Sequence, residues 1–131
     1  MADKQHLSLE TRRQFYALAA KMMREILVDH FRRRNSAKRG GSQIEVPLND
    51  ANPSAQPRYV DFLILDDAIT RLGEMGPRYP QIVELRYMAG LTIEETAEVL
   101  NVSHATIERE WNLARLWLRR ELQSARRGGH S

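Results

Sequence analysis

The sequence predicts an all-α protein: a long basic-ended helix, a flexible linker, then a four-helix domain with a C-terminal helix-turn-helix. Three observations carry that prediction. Apolar residues recur at helical spacing in each long segment. Glycine and proline fall at the joints between those segments or in a first helical turn. Apolar–polar alternation is confined to Ile44, Val46 and Leu48, and three residues cannot form a sheet alone.

The first helix is expected from about Leu9 to about Arg34, after a frayed start over residues 1–7. Thr11 and Gln14 have capping-box spacing. Phe15, Leu18, Ala19, Met22 and Ile26 make one apolar stripe, and Tyr16, Ala20, Met23, Leu27 and Phe31 a second beside it. Two adjacent stripes make a wider apolar face than one small partner helix covers. Left uncovered, that face should drive self-association through helix 9–34. The helix ends in a basic run, Arg32, Arg33, Arg34, Lys38 and Arg39, before Gly40-Gly41. Cations suit the end of a helix dipole, so a solvated basic end is the plain reading. The preferred one is contact with a nucleic-acid backbone, because five cations in so short a span bind phosphate strongly.

Residues 42–60 read as a linker, since Pro47, Pro53 and Pro57 among small polar residues oppose both helix and central strand. Residues 61–73 form the next helix, with Leu65, Ala68, Ile69 and Leu72 inward. Its adjacent Asp66 and Asp67 point about 100° apart, so they cannot converge on one substrate atom, and a capping or solvated role is expected. Gly76-Pro77 opens a third helix with Ile82, Leu85 and Ala89 inward, closed by Gly90.

The most informative stretch is Leu91 to Leu122. Thr92 and Glu95 form a capping box, and Ile93, Ala97 and Leu100 share one face. Asn101-Val102-Ser103 breaks the pattern. Asn tolerates the left-handed conformation that ends a helix, and Ser103 is a good N-cap for the next. In that last helix Ile107, Trp111, Ala114, Leu118 and Leu122 form the buried stripe. Ala105, Arg109 and Asn112 lie opposite, flanked by Thr106 and Glu108. A short-linked second helix with small, polar and arginine residues outward is what entry into a major groove about 12 Å wide requires. A helical hairpin that only packs is the plainer alternative.

Composition narrows the classes. The chain has 131 residues, 42% of them hydrophobic, and no cysteine. A packed core is therefore expected, and disulfides and thiolate metal sites are excluded. No signal core or membrane-length apolar run is visible, which points to a soluble, cytoplasmic protein with no membrane partner. The net charge of +3 hides an asymmetry. Residues 1–41 carry ten Lys/Arg against four Asp/Glu, residues 61–100 three against eight, and residues 101–131 six against three. Two basic ends around an acidic middle suggest two polyanion-facing surfaces. The four histidines lack ligand spacing, no glycine-rich phosphate fingerprint matches, and no serine sits in a nucleophile elbow. No enzyme activity, metal or cofactor is expected.

The segment Leu65 to Leu122 resembles region 4, the promoter-binding domain of the bacterial sigma-70 family, in its extracytoplasmic-function (ECF) subfamily. The resemblance rests on Ile82-Val83-Glu84-Leu85-Arg86-Tyr87, on Gly90 through Leu100 (GLTIEETAEVL), on Val102 through Ile107 (VSHATI), and on Leu113-Ala114-Arg115 with Trp117-Leu118. Phe15 to Gly41 is similar to the last helix of region 2. The resemblance implies three units: 1–41, a partial region 2 on the promoter −10 side; 42–60, the linker; and 61–127, the DNA-binding region 4. It implies a chain truncated at its N-terminus that keeps the end of region 2 and all of region 4. Ser103, His104, Ala105, Thr106, Glu108 and Arg109, with Asn112 beside them, would read the −35 element. Arg32, Arg33, Arg34, Lys38 and Arg39 would hold the strand near the −10 element. The family often has a basic residue where this chain has Glu108; a carboxylate there repels phosphate but can accept from cytosine N4.

Promoter DNA and core RNA polymerase are the implied partners, and an anti-sigma regulator is a candidate third. Two other readings compete: a free-standing dimeric helix-turn-helix transcriptional regulator, and a truncated sigma-like protein that sequesters a partner.

Overall fold

The computed structural model describes the backbone of residues 2–37, 43–46 and 58–128, with the side chains of 8–34 and 61–125. Helices dominate it. Helix α1 spans Ala2–Ala37, α2 Phe62–Leu72, α3 Arg78–Val83, α4 Ile93–Leu100 and α5 His104–Gly128. Helix α3 continues into a single π-helical turn, Glu84–Met88. Strands β1, Gln43–Val46, and β2, Arg58–Asp61, form a two-stranded antiparallel ladder with Ile44 opposite Val60.

The local signals act where the sequence places them. Asp61 caps α2, its carboxylate accepting from the backbone N–H of Leu63 at 2.9 Å and of Ile64 at 3.4 Å. Thr92 and Glu95 form the expected capping box, with reciprocal bonds of 2.9 and 3.0 Å. Asn101 ends α4 in the left-handed region at φ 56°, and Gly90 turns the chain at φ 71° ahead of α4. Ser103 Oγ accepts from the Thr106 backbone N–H at 3.1 Å and so caps α5.

Three expectations need correcting. Helix α1 begins at Ala2, not Leu9, and runs to Ala37. No glycine or proline stands before Gly40, so nothing stops the helix at either expected end, and Thr11 with Gln14 lies inside it rather than opening it. The two ends of the 42–60 stretch are not plain loop: Gln43–Val46 pairs with Arg58–Asp61, which runs one residue past the stretch, and β2 abuts α2. Asp66, finally, is neither a cap nor a freely solvated carboxylate.

Asp66 belongs to the tie that docks α1. From between the apolar residues of α1, Arg24 donates through Nε to Asp66 Oδ1 at 2.6 Å and through Nη1 to Glu84 Oε2 at 2.9 Å. Its Nη2 donates to the Asp66 carbonyl at 2.9 Å and to Thr70 Oγ1 at 2.7 Å. Arg13 adds a bond to the Glu98 carbonyl of α4 at 2.9 Å. Apolar packing follows the same seam. Phe31 stacks at a tilt on Phe62, centroids 5.5 Å apart, and Ala20 packs with Leu85 and Leu91.

The two stripes of α1 thus part company. Tyr16, Ala20, Leu27 and Phe31 turn toward α2, the π-helical turn and α4, while Phe15, Leu18, Met22 and Ile26 remain exposed. Met23, at the rim of the inner stripe, stays 42% exposed. Under this seam one core joins Leu65, Ile69 and Leu72 of α2, Ile82 and Val83 of α3, and Ile107, Trp111 and Leu118 of α5. Among the described residues no helix is long and apolar enough to cross a membrane.

Candidate nucleic-acid interface

Helices α4 and α5 are joined by Asn101, Val102 and Ser103, and the faces of α5 divide sharply. Ile107, Trp111, Ala114 and Leu118 are buried. Ser103, His104, Ala105, Glu108, Arg109 and Asn112 are exposed, and Thr106 is half-buried. The structure therefore gathers all seven residues expected at the groove onto the cap and first three turns of one helix. Ser103 Oγ donates to Thr106 Oγ1 at 2.8 Å, and Asn112 Oδ1 accepts from Arg115 Nη2 at 2.8 Å.

What presents that face is the clamp on the opposite side. Trp111 is 2% exposed. Tyr87 meets its ring edge-on with centroids 5.2 Å apart, and the Arg86 guanidinium lies 4.8 Å from the ring centroid. Arg86 is itself held by a bond from Nη1 to the Leu91 carbonyl at 2.7 Å. These consecutive residues belong to the π-helical turn, and both reach the same indole. The face is thus backed by an aromatic and cationic stack as well as by aliphatic packing.

A second anchor lies beside this exposed face and was not legible from periodicity. Glu110, between exposed Arg109 and buried Trp111, accepts both arms of Arg78: Nε to Oε1 at 2.7 Å and Nη2 to Oε2 at 2.6 Å. The hydrogen bonds from Arg78 hold the Glu110 carboxyl below its ordinary pKa, outweighing the upward push of burial. The same bonds raise the Arg78 guanidinium. Farther along α5, Arg71 of α2 pairs with Glu121 at 3.1 Å and lies over Trp117.

The basic end of α1 is a separate surface. Arg32, Arg33 and Arg34 are exposed, and Arg33 pairs with Asp29 one turn back at 2.6 Å. Lys38 and Arg39, expected beside them, lie outside the described residues. The run sits near the Phe31–Phe62 contact, whereas Arg13, eighteen positions earlier on α1, bonds the last turn of α4 next to the α4–α5 turn. Eighteen helical residues span about 27 Å. The basic end of α1 and the exposed face beginning at Ser103 are therefore not one patch.

Residues 1–124 match the family model described as ECF sigma factor. The chain belongs to the ECF sigma factor family. No curated protein and no solved structure matches it. ECF sigma factors are DNA-binding transcription-initiation proteins rather than enzymes, and the family's partners are promoter DNA and RNA polymerase. Within this ECF sigma chain the family match takes in α1 through most of α5, and so both the basic end of α1 and the exposed face beginning at Ser103.

Proposed function

We infer that this chain binds promoter DNA sequence-specifically and directs RNA polymerase to it, with α4 and α5 acting as a helix-turn-helix. The observation that carries the reading is the division of α5: Trp111 locked inward, Arg109 and Asn112 turned out beside the small residue Ala105. A helix of that shape enters the major groove leading with Ser103, His104, Ala105 and Thr106. There Arg109 is positioned for a bidentate contact with guanine, and Glu108 for acceptance from cytosine N4. The region read is the −35 side of the promoter. Arg32, Arg33 and Arg34, with Lys38 and Arg39, contact backbone phosphates on the −10 side. Residues 1–41 and 61–127 act as its two functional units, joined through 42–60.

Two measurements test this. The protein should be retained by core RNA polymerase in a pull-down, and with polymerase it should protect one asymmetric site in a footprint. Arg109→Ala should weaken binding to that site by about 1–3 kcal/mol and relax its sequence preference. An equal loss on random duplex would remove the base-reading role. Arg33→Ala should lower the salt slope of binding by about one unit on any sequence.

The exposed stripe of Phe15, Leu18, Met22 and Ile26 favours a second reading, a dimeric regulator joined through α1. That protein would protect two half-sites about one helical turn apart without polymerase.

A further inference from the structure

We propose that Arg78 and Glu110 form the roll lock of the reading helix: their paired hydrogen bonds fix the rotation of α5 about its own axis and so set where Arg109 reaches into the groove. The proposal rests on the groove-reading role of α5.

A small roll of α5 is a motion that apolar packing alone fixes only loosely. Ile107, Ala114 and Leu118 meet their neighbours through non-directional contacts, which re-pack when a helix turns by a few degrees. Trp111 is held by an edge contact and a cation over its face, and both tolerate a range of angles. The Arg78–Glu110 contact is different in kind. Two parallel bonds of 2.7 and 2.6 Å join a planar fork to a planar carboxylate, so both distance and plane are specified.

The pair is also placed to resist a roll. Glu110 lies about 100° round the helix from Trp111, so the bonds pull on the flank of α5 rather than along the line of its apolar packing. Arg78 is the first residue of α3, the helix that leads into the Arg86–Tyr87 clamp. The flank bond and the Trp111 clamp thus take their reference from the same segment of chain. Glu110 keeps only 11% of its side chain exposed, and the bonds from Arg78 hold its carboxyl below its ordinary pKa despite that burial.

Rotation matters at the tip. A side chain ending about 6 Å from the helix axis moves by about 1 Å for a 10° roll. A bidentate arginine–guanine contact does not survive that displacement, since productive geometry is held to about 0.5 Å. Arg109 is the residue immediately before the lock. Backbone phosphate contacts, which depend on charge more than on angle, tolerate the same roll.

A purely structural pair would lower stability when broken and leave discrimination between sequences alone. The double variant Arg78→Met/Glu110→Met separates the two roles. It replaces an ion pair whose arginine is 41% exposed with apolar chains of similar length and leaves net charge unchanged; a pair that open to water contributes little net stability, so the fold should be kept. The probe is the duplex that the wild-type protein selects from a random oligonucleotide pool, compared with random duplex. The ratio of the two affinities should fall about tenfold in the double variant, while affinity for random duplex and its salt slope stay at wild-type values. Arg78→Lys keeps the charge but cannot form the fork; it should lower the ratio severalfold and serves if the double variant does not fold.

Coupling completes the test. In an Arg109→Ala background, Arg78→Lys should produce no further loss of ratio, because the side chain whose position it sets is gone. Full additivity of the two losses, a ratio within twofold of wild type in folded Arg78→Lys protein, or a salt slope lower by one unit in the double variant would each overturn the roll lock. If Arg109→Ala itself leaves the ratio unchanged, the groove-reading role of α5 fails, and the lock with it. A ratio lowered by Arg109→Ala but untouched by the pair variants rejects the lock alone.

Discussion

Replacing Arg24 by alanine should detach α1 from the rest of the chain, and the structure gives the scale. Arg24 makes four hydrogen bonds, two of them to carboxylates, and its side chain is 13% exposed. Asp66 and Glu84 retain 21% and 11% side-chain exposure. Removing the cation leaves two carboxylates facing one another with no positive charge between them. Breaking a buried pair by truncating one partner costs about 3–5 kcal/mol. Asp66 sits near enough to water to recover part of its hydration, which lowers the expectation to about 2–4 kcal/mol. For a domain of this size that is a fall in Tm of roughly 10 °C. Urea unfolding measures the loss, and amide hydrogen exchange locates it: exchange should accelerate along α1, with α4 and α5 much less affected. Arg24→Lys should recover only part, since an ammonium cannot span both carboxylates, Thr70 and the Asp66 carbonyl at once. A change below about 0.5 kcal/mol for Arg24→Ala, with α1 exchange unaltered, would refute the argument that this cluster docks the helix.

Other substitutions test the local devices. Asn101→Gly should leave stability nearly unchanged because glycine accepts φ 56°, whereas Asn101→Val should lower it by about 1–2 kcal/mol in a melting experiment. Ala20→Leu should destabilise by about 1–3 kcal/mol, because a fully buried position against Leu85 has no room for three more carbons. Ile26→Ser on the outer stripe should change monomer stability by less than about 0.5 kcal/mol; any effect should instead be loss of self-association in light scattering. The Glu110 carboxyl is depressed, so its contribution is complete above the ordinary glutamate value of about 4.3 and is lost as pH falls through the lower native value. Between pH 5 and 3, wild type should therefore lose more stability than Glu110→Gln. Parallel loss in the two proteins would show that the pair does not contribute.

Most devices that need only near neighbours were legible in the chain, the Asp61 cap of α2 excepted. Thr92 with Glu95, the left-handed Asn101, Gly90 and the Ser103 cap act within three or four residues of themselves, and each does so in the structure. The Ile107–Trp111–Leu118 stripe fixed which side of α5 turns outward, because a 3.6-residue period assigns faces without reference to a partner. The start of α1 was misjudged for a related reason. Polarity at residues 1–7 suggested fraying, yet a polar stretch with no breaker continues a helix already nucleated by its neighbours.

Five helices, their order and the exposed face beginning at Ser103 all follow from spacing along one chain. Tertiary structure alone decided which of the two stripes on α1 is covered, that Arg24 reaches across 42 residues to Asp66 and 60 to Glu84, and that Arg78 grips Glu110 from 32 residues away. Ion pairs of that kind carry no periodicity. An arginine amid apolar neighbours reads the same whether it meets water or a carboxylate, and only folding, which brings distant segments within 3 Å, makes the difference.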